Sequence, residues 1–212
     1  MASQLLLVCY MRAVSKAGMA TIIVAAAVLL FGGTCVASYN KLVKRDQAAS
    51  AQWAQVENAY QRRADLVPNL VETVKAAAKF EKDTLIAVTE ARARVGQVQM
   101  PKGDITSNPD QFKQYQQAQD QLGGALSRLL VVAEAYPNLT ATQNFRDLQA
   151  QLEGTENRIA VERMRYNEVA RDFNTRIARF PASIVAGMFG RFSAKPYFAA
   201  QAGAEEAPKV QF

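Results

Sequence analysis

Histidine is absent from the 212 residues. This removes the commonest general base and metal ligand, so neither a triad nor a histidine-bearing zinc site can be completed. Walker loops, GxSxG elbows and CxxC pairs are missing as well. Glu57, Glu72, Glu81 and Glu90 lie on helical stretches, as the carboxylates of bundle di-metal sites do. Those sites normally add a Glu-x-x-His motif, which this chain cannot supply. We therefore assign no catalytic, cofactor or metal residue, and expect these glutamates to lie on solvated faces. Cysteine is limited to Cys9 and Cys35, both in the apolar N-terminal region, so the rest of the chain has no disulfide and its redox compartment is unmarked. The charge of +6 is interspersed with acids, and no aromatic residues interleave basic runs. That pattern describes solvated helices and argues against nucleic acid as a partner.

A long apolar run comes first among the features that are present. From Ala17 to Ser38 no charge interrupts roughly 22 positions, which at about 1.5 Å per helical residue spans a hydrocarbon core of about 30 Å. A cleaved signal peptide has an apolar region of only about 7–15 residues. Gly32, Gly33 and Thr34 are a poor setting for a lipidated Cys35. The expectation is an N-terminal segment over 1–16 and a single transmembrane helix over 17–38. Arg12 and Lys16 flank one side, and Lys41, Lys44 and Arg45 the other, so charge leaves the orientation open.

From Tyr39 the apolar spacing becomes helical. Leu42, Ala49, Trp53, Val56, Tyr60, Ala64 and Val67 share a face of a helix that continues from the membrane. Pro68 lacks an N–H and disfavours helix at Leu66–Val67, so one helix should stop near Leu66 and another start at Pro68. Arg62 and Arg63 would close the first, Asp65 would meet the new N-terminus, and Asn69 would follow the turn. These five positions, Arg62, Arg63, Asp65, Pro68 and Asn69, are candidates for a helix corner or a partner contact.

The second helix is expected from Pro68 to about Val98, with Leu70, Val74, Ala77, Leu85, Val88 and Val95 inward, followed by a loop containing Pro101 and Gly103. Asn108, Pro109 and Gln111 form a capping-box pattern that opens the third, whose seam is Phe112, Tyr115, Leu122, Leu126, Leu129 and Ala133. Gly123 and Gly124 in its middle read as a close helix approach or as a kink. Thr140 and Gln143 offer a second box, opening a seam of about 40 residues, some 60 Å, through Phe145, Leu152, Ile159, Tyr166, Phe173 and Phe180 to Pro181. Short connections favour antiparallel neighbours, which gives an all-α, up-down bundle of four long helices over 39–181. Its last helix should overhang toward the bilayer.

Residues 182–200 suit that place. Ile184, Val185, Met188, Phe189 and Phe192 share one face, and Tyr197 and Phe198 extend it. Arg176, Arg179, Arg191 and Lys195 stand among them with no acid between Asp172 and Glu205. An apolar face beside unopposed cations suits an interfacial helix on anionic lipid; the alternative is that these aromatics fold back and cap the bundle. The tail, 201–212, is expected to be loosely ordered.

The stretch QRRADLVPNLVETVK at Gln61–Lys75, with YNKLV before it and EKDTLIAVTEARA after it, closely resembles the signature of the bacterial LemA family. Further likeness lies in EAYPNL, RYNEVARDFN, FPASIVAGMFG and APKVQF, so that roughly residues 39–212 are covered. The resemblance implies an N-terminal membrane helix, a bundle of long antiparallel helices, no established enzymatic activity, and an association with membrane-bound assemblies, those of magnetosome membranes among them. Two readings of function follow. One is a single-pass protein of the bacterial inner (cytoplasmic) membrane that contacts lipid, forms homo-oligomers and organises membrane. The other is an adaptor for a membrane-protein partner such as a protease, receptor or envelope-maintenance enzyme. An enzyme using clustered carboxylates is a third.

Overall fold

The computed structural model describes residues 16–76, 81–98 and 105–199. The expectations for the N-terminal segment, the loop at Pro101 and Gly103, the inward Ala77 and the tail fall outside these residues. The described residues are helical throughout apart from turns and an extended C-terminal segment. The helices are α1 (Lys16–Lys75), α2 (Lys82–Val98), α3 (Pro109–Ala133), the single turn α4 (Pro137–Thr140), α5 (Gln143–Ala178) and α6 (Ala182–Phe189), with a 3₁₀ turn at Ile105–Ser107. The chain divides into two compact units. One joins residues 16–44 to Arg176–Phe192, and the other joins Arg45–Thr175 to the residues from Ser193 onward.

α1 changes character along its length. Up to Val36 its large apolar side chains, Ile22, Val24, Leu29 and Leu30 among them, are exposed. The stretch is long and apolar enough to cross a membrane. From Leu42 the predicted seam is buried instead, through Ala49, Trp53, Val56, Tyr60 and Val67, while Ala64 is half-buried. One helix thus passes from exposed to buried apolar side chains without a break.

Pro68 does not end that helix. α1 runs through it to Lys75, so the corner expected at Leu66–Pro68 is not there, and α2, which begins at Lys82 rather than at Pro68, is correspondingly short at 17 residues. A proline within a helix leaves the carbonyl four residues earlier without its donor, here that of Ala64. The Arg92 side chain of α2 supplies one, its Nε donating to the Ala64 oxygen at 3.0 Å. The tertiary structure thus satisfies the group whose exposure would otherwise favour a break.

The larger unit is the antiparallel bundle. Gln52 pairs with Glu162 and Arg63 with Glu156, so residue numbers rise along α1 as they fall along α5. Trp53 meets Phe112, Tyr60 meets Tyr115 and Arg63 meets Gln119, so α1 and α3 run parallel, as the first and third helices of an up-down bundle must. An aromatic cluster fills the centre, with the Trp53 ring 5.4 Å from Phe112, 5.5 Å from Tyr166 and 5.9 Å from Phe198. Aromatic pairs of this kind contribute about 0.5–1.5 kcal/mol each beyond their buried area.

The caps follow the sequence only in part. Asn108 accepts from the amides of Asp110 and Gln111 as expected, but its own N–H donates to Ile105 in the 3₁₀ turn, leaving the return arm of the box unused. The Thr140–Gln143 box does not form. Thr140 donates to Pro137, Gln143 donates to Asp147, and Thr142 accepts the Phe145 amide at 3.4 Å. α5 ends at Ala178, and Phe180, expected inward, is 73% exposed.

Candidate functional site

Two constellations stand out, a charged network inside the bundle and an aromatic junction in the smaller unit. The first is built on Arg63, which a continuous α1 turns inward rather than leaving at a helix end. Its side chain is only 3% exposed. Nη1 donates to both Glu156 oxygens at 2.9 and 3.2 Å, and Nη2 to the Gln119 carbonyl and side-chain oxygen at 2.9 and 2.5 Å. Arg163 of α5 completes the network, donating from Nε to the Tyr60 hydroxyl at 2.6 Å and from Nη2 to Asp120 at 2.8 Å. Both guanidiniums lie over the Tyr60 ring, at 5.3 and 5.4 Å from its centre. Burial, opposed by Arg163 and Arg63, pushes the Tyr60 hydroxyl up from 10 to about 12, and burial raises Tyr115 too.

Beside this network lies an open cavity of about 590 Å³ between α3 and α5, with Gly123, Gly124, Ser127 and Asn157 in its wall. Gly123 has a specific reason to be there. A β-carbon at that position would stand 3.3 Å from Arg63 Nη1, whereas one on Gly124 would meet nothing within 4 Å. The first glycine therefore leaves room for the close approach of the Arg63 side chain, not for the helix-on-helix approach expected from the sequence. With both arginines tied to acceptors, the network is equipped to hold the register of α1, α3 and α5 rather than to move protons. Among the described residues no three histidine, cysteine, aspartate or glutamate side chains gather as a metal would need.

The second constellation begins at Tyr39, the residue after the apolar run. Its ring packs on Phe189 at 4.9 Å and on Phe192 at 5.7 Å, and its hydroxyl accepts from Arg191 Nη1 at 3.1 Å. α6 buries Ala182, Val185 and Ala186 along one side, and Gly190, with φ of 62°, caps it in the left-handed conformation that favours glycine. Ile184, Met188 and Phe189 are 43%, 74% and 59% exposed. Arg179 and Arg191 are exposed and Arg176 is half-buried.

In the larger unit, two asparagines on α5 hold the extended C-terminal segment. Asn174 exchanges hydrogen bonds with the Lys195 backbone in both directions at 2.8 Å, and Asn167 does the same with Phe198 at 3.0 and 2.9 Å. Each carboxamide takes the part of a neighbouring peptide group. The clamp sets Phe198 into the aromatic core and buries Lys195, whose Nζ lies 3.1 Å from both Asp46 and Thr106.

The sequence profile of the LemA family matches residues 52–212. The chain belongs to the LemA family. Two magnetosome proteins of Paramagnetospirillum magneticum, MamQ 1 and MamQ 2, are each 27% identical to it over 187 residues, spanning 81% of this chain and 68% of theirs. A protein named LemA from Metamycoplasma hominis is 22% identical over 147 residues, 69% of this chain and 63% of its own.

The LemA match takes in the arginine network, both asparagines and α6, and begins beyond the apolar run. Of the five positions expected at a corner, Arg63 is buried, while Arg62, Asp65, Pro68 and Asn69 are exposed along an unbroken helix. Asp65 caps no helix there; its carboxylate accepts from Gln61 one turn earlier. Of the expected interface residues, Val185, Phe192 and Lys195 are buried, because helical packing and the asparagine clamp turn them inward. Spacing alone placed Val185 with Ile184, Met188 and Phe189, since a helix buried on one face and apolar on the other has no polar stripe to mark its sides. Asn167 and Asn174, seven residues apart on one helix face, were the available signal for the clamp.

Proposed function

We propose that this LemA family protein is a non-enzymatic, single-pass protein of the bacterial inner membrane whose bundle self-assembles and thereby organises the membrane around it. The supporting observation is α1, one 60-residue helix that carries the apolar run directly into the bundle core. The run and the bundle share this helix, so copies that associate through the bundle would bring their anchors together as well. The relatives named as magnetosome proteins support a role at membranes. The test is the mass of the full-length protein in mild detergent by light scattering corrected for detergent. A defined multiple of the 23.2 kDa chain is expected. A strict monomer with no self-crosslinks in cells would refute the reading.

A second reading, an adaptor for another membrane protein, draws on exposed Arg62, Asp65, Pro68 and Asn69 beside a cavity of about 210 Å³ lined by Val67, Pro68, Val71 and Arg92. It predicts a stoichiometric hetero-complex that is lost when Arg62, Asp65 and Asn69 are replaced together by alanine.

A further inference from the structure

α6 is apolar on both sides. Ala182, Val185 and Ala186 face inward, while Ile184, Met188 and Phe189 are exposed, with exposed Phe180 just before them. Exposed Ser183 is the only polar side chain in the helix, so its outer face is otherwise apolar. Exposed cations stand near its two ends, Arg179 before and Arg191 after, and no acid occurs from Phe173 to Ala204. Its position is set by contact, through the packing of Phe189 and Phe192 on Tyr39 and the Arg191 hydrogen bond to the Tyr39 hydroxyl. Tyr39 directly follows the apolar run, at the depth where tyrosines sit in the headgroup belt of a bilayer.

We infer that the outer face of α6 lies in the membrane interface, with Phe180, Ile184, Met188 and Phe189 among the upper acyl chains and Arg179 and Arg191 on anionic phosphate headgroups. The inference rests on the anchoring proposed above. It assigns the face to lipid rather than to a second copy because the face adjoins the end of the span and its flanking charge is of one sign, complementary to an acidic leaflet. Tyr39 then has two roles, as an anchor of the span at the interface and as the seat that holds α6 there. The buried Val185 and Phe192 fasten the helix to its own unit, leaving the other side free for lipid.

The test uses the full-length protein with Cys9→Ala and Cys35→Ala, carrying a nitroxide at Met188→Cys, or at Ile184→Cys as a second site should the first disturb folding. It is reconstituted in vesicles of phosphatidylethanolamine and phosphatidylglycerol. Co-flotation with lipid and helical circular dichroism are measured first. High accessibility to oxygen with low accessibility to a water-soluble nickel chelate is expected, as is a shift toward nickel accessibility in Arg179→Gln/Arg191→Gln or in vesicles of phosphatidylcholine alone. High nickel accessibility in the anionic vesicles would overturn the inference by placing the face in water. Low accessibility to both reagents would overturn it by showing a protein cover, such as a second copy. Either result with intact co-flotation leaves the anchoring itself standing, whereas loss of co-flotation removes both.

Discussion

Replacing Pro68 by alanine tests whether a distant side chain does the work of a missing backbone donor. A proline in a helix interior costs about 3 kcal/mol or more relative to alanine, from its ring clash and from the carbonyl it deprives of a partner. Here the deprived carbonyl, Ala64, accepts from Arg92 Nε at 3.0 Å. The bond lies at an exposed position, so its net contribution is that of an ordinary hydrogen bond, about 0.5–1.5 kcal/mol. Arg92→Met, which keeps the stem and removes the donor, should destabilise the native chain by about that amount. Pro68→Ala should stabilise it by about 1–2 kcal/mol, less than the full proline penalty because part of that penalty is already offset. In the double variant the backbone N–H restored at position 68 donates to the Ala64 carbonyl, and the loss of the Arg92 donor should cost almost nothing. The difference between backgrounds is the coupling, about 1 kcal/mol. Trp53, the sole tryptophan and a core residue, reports denaturant unfolding of the full-length protein in detergent. An equal cost of Arg92→Met with and without Pro68 would refute the reasoning.

Other consequences can be read in the same assay. Gly124→Ala has open space and should stabilise α3 by about 1 kcal/mol through helix propensity, while Gly123→Ala presses on a guanidinium held by four acceptor contacts and should gain less or turn destabilising; equal effects would contradict the assigned close approach. Tyr60 is raised from 10 to about 12 in the folded protein. Below pH 10 it is protonated in both states, and between 10 and 12 only the unfolded chain ionises, so stability should fall over that window by roughly 2–3 kcal/mol from this group. Tyr60→Phe should flatten the slope, with Tyr115 supplying the remainder, and an unchanged slope would refute the assignment. Asn174→Ala should release the Lys195 backbone and speed proteolytic cleavage near Lys195 at unchanged helical content; identical cleavage rates would show that the clamp does not hold the segment.

What the sequence determined by itself are the features with local causes. The apolar run, the seams through Trp53, Tyr60, Leu122, Leu126, Ile159 and Tyr166, and the Asn108 cap were all legible, because helical period and capping depend on residues a few positions apart. The family signature was legible too, although it did not tell which of its residues face inward. The tertiary structure decided where long-range partners change the local answer. Pro68 reads as a break until Arg92 meets the Ala64 carbonyl, 28 residues before it in the chain. Arg63 reads as a surface cation until Gln119 and Glu156, 56 and 93 residues away, provide its acceptors. The segment with Lys195 and Phe198 reads as part of a membrane face or as a cap on the bundle, and Asn174 and Asn167, which fasten its backbone to α5, decide for the bundle. The physical reason is shared: burying a charge or an unpaired peptide group is costly until a partner arrives, and in this bundle those partners come from other helices.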